Sequence, residues 1–170
     1  MRALCLIAGV LIAAALSGCG GYRLGPVNDT AAGAKSVQVR PFLNQTLEPR
    51  LGEALTAAVR REMQRDGTYR LATRGDADLV LSGVVTHYQR RELSFLPNDV
   101  LTVSDFRVNA TVHVTVEEKR TGRTVLDQDV SGYTLVRVGS DLSSAERQAL
   151  PLLADELAKN IAALLAEGSW

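Results

Sequence analysis

The sequence predicts an α+β fold, a two-layer sandwich in which two helices pack on one face of a mostly antiparallel sheet of about four to five strands. Residues 106–117 alternate apolar and polar side chains, as a strand with one buried and one solvated face does. Two other segments, 49–65 and 143–165, carry apolar residues at spacings of three and four, which is typical of amphipathic helices. The simplest packing places both helices on the apolar face of one sheet.

The first strand and the first helix have recognisable boundaries. Residues 36–42 alternate in the manner of a strand. Asn44 or Thr46 is expected to cap the helix that follows, and Pro49 fits the first turn of that helix. Gly67 is expected to end it, because glycine readily adopts the left-handed conformation common at helix C-termini.

The middle of the chain predicts the remaining strands. Residues 68–73 predict a short strand and residues 77–93 a long one, in which Gly83 is expected to allow a bulge. A loop is expected over residues 94–99. Residues 124–136 then return as the antiparallel partner of the alternating strand.

The last helix begins at a capping-box pattern, in which Ser143 and Glu146 would each bond a backbone N–H of the first turn. Its apolar stripe predicts the buried face: Leu150, Leu153, Leu157, Ile161, Leu164 and Leu165. Pro151 lies within the pattern and is expected either to kink the helix or to divide a short helix from a longer one.

The N-terminus has the form of a bacterial lipoprotein signal. Arg2 precedes an apolar run over residues 3–16, and the small residues Ser17 and Gly18 lead to Cys19. Cleavage between Gly18 and Cys19 would free a thiol for a diacylglyceryl group and an amino group for a third acyl chain, and two or more chains anchor stably. The site divides the chain into three predicted segments: a signal peptide at 1–18, a lipidated flexible tether at 19–35 and a single folded domain at 36–170.

Two other interpretations of the N-terminus fit less well. The apolar run is shorter than the roughly 20 residues that a transmembrane helix needs, and ordinary secretion would make Cys19 a chance residue. Gly20 follows the cysteine in place of the aspartate that retains many bacterial lipoproteins at the inner membrane. We therefore expect sorting to the outer membrane, with the acyl chains in its inner leaflet.

Composition excludes several classes of function. The chain balances 19 basic residues against 19 acidic ones, so it lacks the basic excess of many nucleic-acid-binding proteins. Cys19 would be the only cysteine after cleavage, which excludes a disulfide within the mature chain. Two histidines and one lipidated cysteine offer little material for a transition-metal site, and no cofactor is expected.

No residue pattern points to catalysis. The sequence has none of the nucleophile-elbow, zinc-protease, P-loop or dinucleotide-binding motifs. His87 and His113 are expected to be solvated residues on strands. Two carboxylate pairs are more typical of turns and exposed strands than of acid–base catalysis: Asp76 with Asp78, and Asp127 with Asp129. An enzyme is therefore not expected.

Four arginines near predicted strand ends are candidates for binding anionic groups: Arg90, Arg91, Arg107 and Arg137. The guanidinium group matches phosphates in geometry, so these side chains could meet the phosphates of a lipid A headgroup. The alternative is that they are solvated residues, with Glu92 as a screening partner, as most charged residues at strand ends are.

Four segments of the chain carry a resemblance to a known family. The segment from Cys19 to Leu24, C-G-G-Y-R-L, resembles a C-G-Y-x-L start, and residues 37–49, V-Q-V-R-P-F-L-N-Q-T-L-E-P, resemble a V-x-x-F-x-N-x-T-x-E-P segment. Residues 55–62 are similar to the helix that follows, and residues 76–83 to an A-D-x-x-L-x-G strand. In this order the segments resemble the lipopolysaccharide-assembly lipoproteins, the LptE family.

The resemblance implies a lipoprotein that sits in the lumen of the LptD outer-membrane β-barrel, plugs it, helps it assemble and assists delivery of lipopolysaccharide to the outer leaflet. A lipid tether and a sheet with a broad polar face agree with this role, since a plug in a polar lumen needs polar outer surfaces. The lipopolysaccharide-contacting residues of the family are not carried over, because no local motif fixes their positions here.

An alternative function stays open. The segment around Phe42 and Asn44 is also similar to activators of peptidoglycan synthases and to curli-export subunits, so the protein could instead be an outer-membrane lipoprotein that activates a peptidoglycan synthase. Such an activator needs a long tether, whereas about 15 residues span at most roughly 50 Å. The short tether favours a partner at the membrane itself.

Overall fold

The structure is a computed structural model that describes residues 33–96, 99–137 and 142–168. Within these residues it contains six strands and two helices: β1 Ser36–Val39, β2 Leu43–Asn44, α1 Leu51–Asp66, β3 Arg70–Leu71, β4 Leu79–Leu96, β5 Asp99–Glu118, β6 Thr124–Arg137 and α2 Leu142–Glu167. The predicted signal peptide, Cys19, most of the predicted tether and the side chain of Ser143 lie outside the described residues. Neither described helix is long and apolar enough to cross a membrane.

The strands form one sheet whose long members are antiparallel. The order across the sheet is β3-β1-β4-β5-β6, and β2 pairs with β4 beyond the end of β1. β5 pairs antiparallel with both β4 and β6, while the short strands β1, β2 and β3 pair parallel to their neighbours. The predicted fold class is confirmed. The strand count is slightly higher than predicted because Leu43–Asn44 forms an additional short strand that pairs with β4.

Both helices lie on one face of the sheet and pack against each other. α1 covers the side formed by β1, β3 and β4, whereas α2 covers β5 and β6. The predicted apolar stripes form the buried faces of the helices: Leu51, Leu55, Val59 and Met63 on α1, and Leu150, Leu153, Leu157, Ile161 and Leu165 on α2. Each such side chain contributes roughly 1.5–3 kcal/mol relative to leaving it exposed, so this layer of contacts is the main source of stability.

Phe42 joins the sheet to α1 at a point where two glycines are required. Its ring lies against Gly83 of β4, where a Cβ would come within 2.6 Å of a ring carbon. Its carbonyl oxygen lies against Gly52 in the first turn of α1, where a Cβ would be 2.8 Å away. Its N–H donates to Thr56 Oγ1 at 2.9 Å, and the Thr56 hydroxyl donates to the Gly52 carbonyl at 2.7 Å. These four residues are the Phe42 junction.

β4 and β5 extend further than predicted. The expected loop over 94–99 is strand on both sides of residues 97–98. The pairing of β4 with β5 shifts register between Val85 and His87, so the predicted bulge at Gly83 is wrong. Gly83 pairs regularly, and its missing side chain makes room for the ring at the Phe42 junction.

The two ends of α1 differ in how well they were predicted. The N-cap is Arg50, which makes no side-chain capping bond, so the expectation that Asn44 or Thr46 caps the helix is wrong. Those two residues bond to each other: the N–H and hydroxyl of Thr46 donate to Asn44 Oδ1 at 3.0 and 2.8 Å. At the other end Gly67 has φ 73°, the left-handed conformation that was predicted.

α2 is one continuous helix despite its proline. It runs for 26 residues with Pro151 inside, so the expectation that this residue divides two helices is wrong. Pro151 lies on the exposed side of the helix. Near the C-terminal end, the buried Tyr69 donates from its hydroxyl to the Leu165 carbonyl at 3.1 Å, which ties α2 to the segment after α1.

β6 is the outer strand of the sheet on the α2 side. Asn160 of α2 donates from its side-chain amide to the backbone carbonyl of Ser131 at 3.0 Å. The Ser131 carbonyl of β6 therefore has a hydrogen-bond partner. No strand among the described residues pairs with β6 on that side.

Replacing Thr56 with valine keeps the side-chain shape and removes the hydroxyl at the Phe42 junction. The buried N–H of Phe42 would then lose its acceptor, so we expect the free energy of unfolding to fall by about 1–3 kcal/mol, measured by urea denaturation. Thr86→Val, on an exposed part of β4, is the matched control and should change stability by less than about 0.5 kcal/mol. Equal stability of Thr56→Val and the parent protein would contradict this account.

Candidate functional site

The face of the sheet opposite the helices, the open face, carries mostly polar side chains. On β5 it presents a single alternating row: Asp105, Arg107, Asn109, Thr111, His113, Thr115 and Glu117. The intervening β5 residues from Val108 to Val116 are buried under the helices. The predicted alternation is therefore confirmed. All four candidate arginines lie near the end of the sheet where β4 passes into β5, the distal end.

Arg91 and Arg107 lie opposite each other on the open face. They are direct cross-strand partners on β4 and β5. The guanidinium carbon of Arg107 lies 4.6 Å from the ring centroid of Tyr133 on β6, a cation–π arrangement that fixes its position. Within the described residues, Arg107 Nε is buried without a hydrogen-bond partner, and neither arginine forms an ion pair. Two adjacent cations without carboxylate partners suit a phosphate or another anion.

Arg90 lies on the other face of β4 and has a different environment. Its guanidinium forms an ion pair with Glu146 of α2. The pair borders a cleft of about 590 Å³ whose lining includes Leu47, His87 and Tyr88. Burial, reinforced by nearby carboxylates, raises the pKa of Tyr88 to about 12, so this hydroxyl stays protonated at neutral pH. Arg90 therefore links the sheet to α2, and the structure separates it from the other three arginines.

Arg137 is held by a carboxylate on the open face. Its Nε donates to Asp105 Oδ1 at 3.1 Å, and the hydroxyls of Ser94 and Ser104 donate to Oδ2 of the same carboxylate. These bonds, the one from Ser94 first, lower the pKa of Asp105 below its ordinary value of 3.8. The structure thus leaves Arg91 and Arg107 as the two candidates whose charge no described carboxylate neutralises.

His113 lies between two acidic residues, Asp127 and Asp129, which were expected only to be typical of an exposed strand. Its Nε2 lies 2.7 Å from Asp127 Oδ1, and its Nδ1 lies 2.8 Å from Asp129 Oδ1. Only the protonated imidazole donates from both nitrogens. The bond to Asp129, with the charges of both carboxylates, raises the pKa of His113 above 6.5. The turn after Glu118 would not have predicted this cluster: it alone would place His113 opposite Gln128, and the register shift between Val116 and Glu117 moves Asp129 into that position.

In the other carboxylate pair, Asp78 has a structural role. Asp78 Oδ2 accepts both the backbone N–H and the hydroxyl of Ser36 at 2.7 Å. The backbone bond from Ser36 is the larger cause of a lowered Asp78 pKa. Asp76 lies in the adjacent turn and is exposed. Among the described residues, no group of three or more histidine, cysteine or acidic side chains has the arrangement of a metal site.

The chain also matches a defined protein family over most of its length. Residues 34–165 match the family described as LptE, lipopolysaccharide-assembly. The chain belongs to the LptE family. No curated protein matches it at a significant level.

Several solved structures share the fold of this LptE-family protein. A protein of Xanthomonas campestris has a TM-score of 0.58 at 11% identity, covering 84% of this chain and 86% of its own. A hypothetical protein of Chlamydia trachomatis has a TM-score of 0.56 at 13% identity, covering 79% and 96%. A minor lipoprotein of Acinetobacter baumannii has a TM-score of 0.52 at 16% identity, covering 78% and 92%. At these identities the likeness is one of fold alone.

The segment that carries much of the LptE resemblance shapes the approach to α1. Phe42 provides the junction with β4, and Asn44 braces the next turn by accepting from Thr46 and by donating from Nδ2 to the Glu48 carbonyl at 2.6 Å. This bracing leaves Leu47 fully exposed. Local packing and hydrogen bonding therefore explain why Phe42 and Asn44 occur in this segment, without any bound ligand.

The pairing of His113 predicts a measurable pH dependence. Because its pKa is raised in the folded protein, its contribution to stability is fully present below pH 6.5 and is lost as the pH rises through the higher folded pKa. In an NMR titration the imidazole of His113 should have a midpoint above 6.5, and Asp129→Asn should lower it. Asp127→Asn, which removes a weaker contribution, should lower it less. An unchanged midpoint in both variants would refute the pairing.

Proposed function

We propose that this LptE-family protein is an outer-membrane lipoprotein, anchored through Cys19, that plugs and helps assemble the LptD β-barrel and assists lipopolysaccharide transport to the outer leaflet. The observation that carries the proposal is the family match over residues 34–165, which spans both layers of the sandwich. An enzymatic role is not proposed, since neither histidine in the described residues is paired with a nucleophile.

The open face supports the plug role. The two helices leave uncovered a broad surface that consists mostly of hydroxyl, amide and charged side chains, with Tyr133 and Leu135 of β6 exposed beside Arg107. Such a surface suits the polar interior of a large outer-membrane barrel, where outward-facing apolar residues would be poorly solvated. α1 and α2 already cover the apolar face of the same sheet. A partner that binds the open face would therefore meet polar rather than apolar residues over most of that face.

Capture of the tagged full-length protein from detergent-solubilised envelopes tests the proposed partner. We expect a large β-barrel in near-stoichiometric amount, identified by mass spectrometry. A peptidoglycan synthase without a barrel would replace the proposal with the alternative of a synthase activator. A parallel capture with an unrelated outer-membrane lipoprotein controls for barrels that adhere to any lipid-anchored bait.

For the ligand, we propose that Arg91 and Arg107 contact the phosphates of lipopolysaccharide. They are adjacent on the open face, lack described carboxylate partners and are positioned in part by Tyr133. Arg90 and Arg137, the other two candidates, are engaged by Glu146 and Asp105. Their contribution to phosphate binding is therefore expected to be smaller.

Charge removal at this pair should weaken binding of lipopolysaccharide. Arg91→Gln combined with Arg107→Gln should reduce the affinity for fluorescent lipopolysaccharide by about tenfold or more, since charge-assisted bonds contribute roughly 1.5–3 kcal/mol. Arg61→Gln combined with Arg147→Gln, on the exposed sides of the helices, is the matched control. Equal affinities of the two double variants would exclude the arginine pair as the contact.

The anchor has its own test. Replacing Cys19 with alanine removes the only thiol that the predicted cleavage would expose, so incorporation of radioactive palmitate should be abolished. Ser17→Ala, which keeps a small residue before the cleavage position, should still be labelled. Labelling of Cys19→Ala would show that the acyl chains are attached elsewhere.

A further inference from the structure

β4 continues beyond its parallel neighbours, and one of its sides then has no strand partner. β1 and β2 pair with β4 only as far as Val85, whose carbonyl also accepts from the Gln45 N–H at 3.0 Å. From there β4 runs on to Leu96, paired with β5 on its other side. Within the described residues no strand covers residues 86–96 on the side away from β5. This stretch of β4 is the free edge.

The free edge directs backbone groups outward. In an antiparallel ladder, alternate residues point their N–H and C=O groups away from the partner strand. The Val85 carbonyl faces away from β5, because it accepts from Gln45. After the register shift that follows Val85, the same orientation recurs at Tyr88, Arg90 and Glu92. A row of such groups is a template for pairing with another extended polypeptide.

The cleft of about 590 Å³ described above runs along the free edge. Thr86 to Arg90, which are consecutive in β4, all line it, so it follows the backbone of the strand rather than one face of the sheet. Its other walls are residues 45–48 and Glu146 of α2. The cleft therefore leaves room beside β4 for an added strand.

Apolar side chains are exposed next to the same edge. Leu47, which lines the cleft, is fully exposed, and Leu93 and Phe95 of β4 are each 45% exposed. An added strand would cover part of this apolar surface, and burial of apolar surface favours association. Strand addition of this kind takes affinity from the backbone bonds and specificity from the contacts of alternate side chains.

The described fold does not supply the added strand itself. Residues 97–98 and 138–141 are too short to pair along the whole free edge. The predicted tether leads into β1, whose pairing with β4 begins at Leu79, at the opposite end of β4. A second copy is disfavoured, because the antiparallel register that uses the whole free edge centres on Arg91 and would place two copies of this cation side by side.

We propose that the free edge takes up one extended segment of the barrel protein, which adds to β4 as a strand. The inference rests on the proposed function, and it names a contact by which plug and barrel hold each other. The wall strands of a closed barrel already have neighbours on both sides, so the added strand comes from a part of the barrel chain outside its wall. Alternate side chains of the segment enter the cleft, against Leu47 and Tyr88.

Photo-crosslinking from the free edge tests strand addition directly. A benzophenone amino acid is placed at Gln89 or at Leu93 of the full-length protein, the cells are irradiated, and the crosslinked residue of the barrel is identified by mass spectrometry. Because paired strands advance together, the two positions should crosslink to one segment outside the barrel wall, at sites about four residues apart.

Matched positions on the outer edge of β6, Ser131 and Leu135, should not crosslink to that segment. Crosslinks from Gln89 and Leu93 to wall strands, to the tether, to a second copy of this chain or to unrelated parts of the barrel would overturn the inference. The absence of any crosslink to a barrel that is captured would overturn it as well.

A proline on the free edge tests the backbone bonds. At Glu92 it removes an outward N–H and leaves the pairing with β5 in place, which edge strands tolerate. Glu92→Pro should therefore speed dissociation of the captured complex roughly fivefold or more, the effect of one lost hydrogen bond, measured by exchange against untagged protein. Leu135→Pro, on the outer edge of β6, is the matched control and should dissociate at the parent rate. Circular dichroism checks the folding of both variants.

The proposed function and strand addition fail in different ways. If the parent protein captures no barrel, the proposed function fails, and this inference fails with it. If the parent captures the barrel while Glu92→Pro dissociates no faster than Leu135→Pro, only strand addition fails. If Glu92→Pro does not fold, the crosslinks from Gln89 and Leu93 decide the question without it.

Discussion

The close approach of Phe42 to the backbone of β4 and of α1 is the constraint on which the rest of the fold depends. Its ring needs the bare backbone of Gly83, and its carbonyl needs Gly52. A single hydroxyl, that of Thr56, satisfies the buried N–H that this packing removes from water. The junction sets where the chain leaves the sheet and where α1 begins. The placement of α2, which packs against α1, follows from it.

The features that depend on local pattern could be predicted from the sequence, and those that depend on distant pairing could not. The alternation on β5, the apolar stripes of the helices and the turn at Gly67 are local, and the structure confirms them. Glycine at position 83 suggested a bulge because the sequence does not show that the Phe42 ring occupies the missing side chain's place. Likewise Arg90 and Glu146 are 56 residues apart. The local sequence that made Arg90 a candidate ligand contact therefore could not predict its ion pair with Glu146.

Charged side chains with and without ion-pair partners are distributed unevenly along the open face. Near the distal end Arg137 is neutralised by Asp105, while the stacked Arg107 and its neighbour Arg91 are not. Between the two ends, His113 shares one proton-dependent positive charge between two carboxylates. On the open face the His113 cluster therefore carries net negative charge, whereas Arg91 and Arg107 carry net positive charge. Because the net charge of the whole chain is zero, its composition could not predict this uneven distribution.

The hydrogen bond from Asn160 to Ser131 bears on how copies of this chain behave when crowded together. An outer strand of 14 residues offers unpaired backbone groups that could recruit the same strand of a neighbour and seed an extended intermolecular sheet. A side chain from α2 already occupies one of these carbonyls, so a second molecule would have to displace an existing bond before its own strand could align. Asn160 thus blocks one of the backbone groups through which β6 strands of two copies of this chain could pair edge to edge.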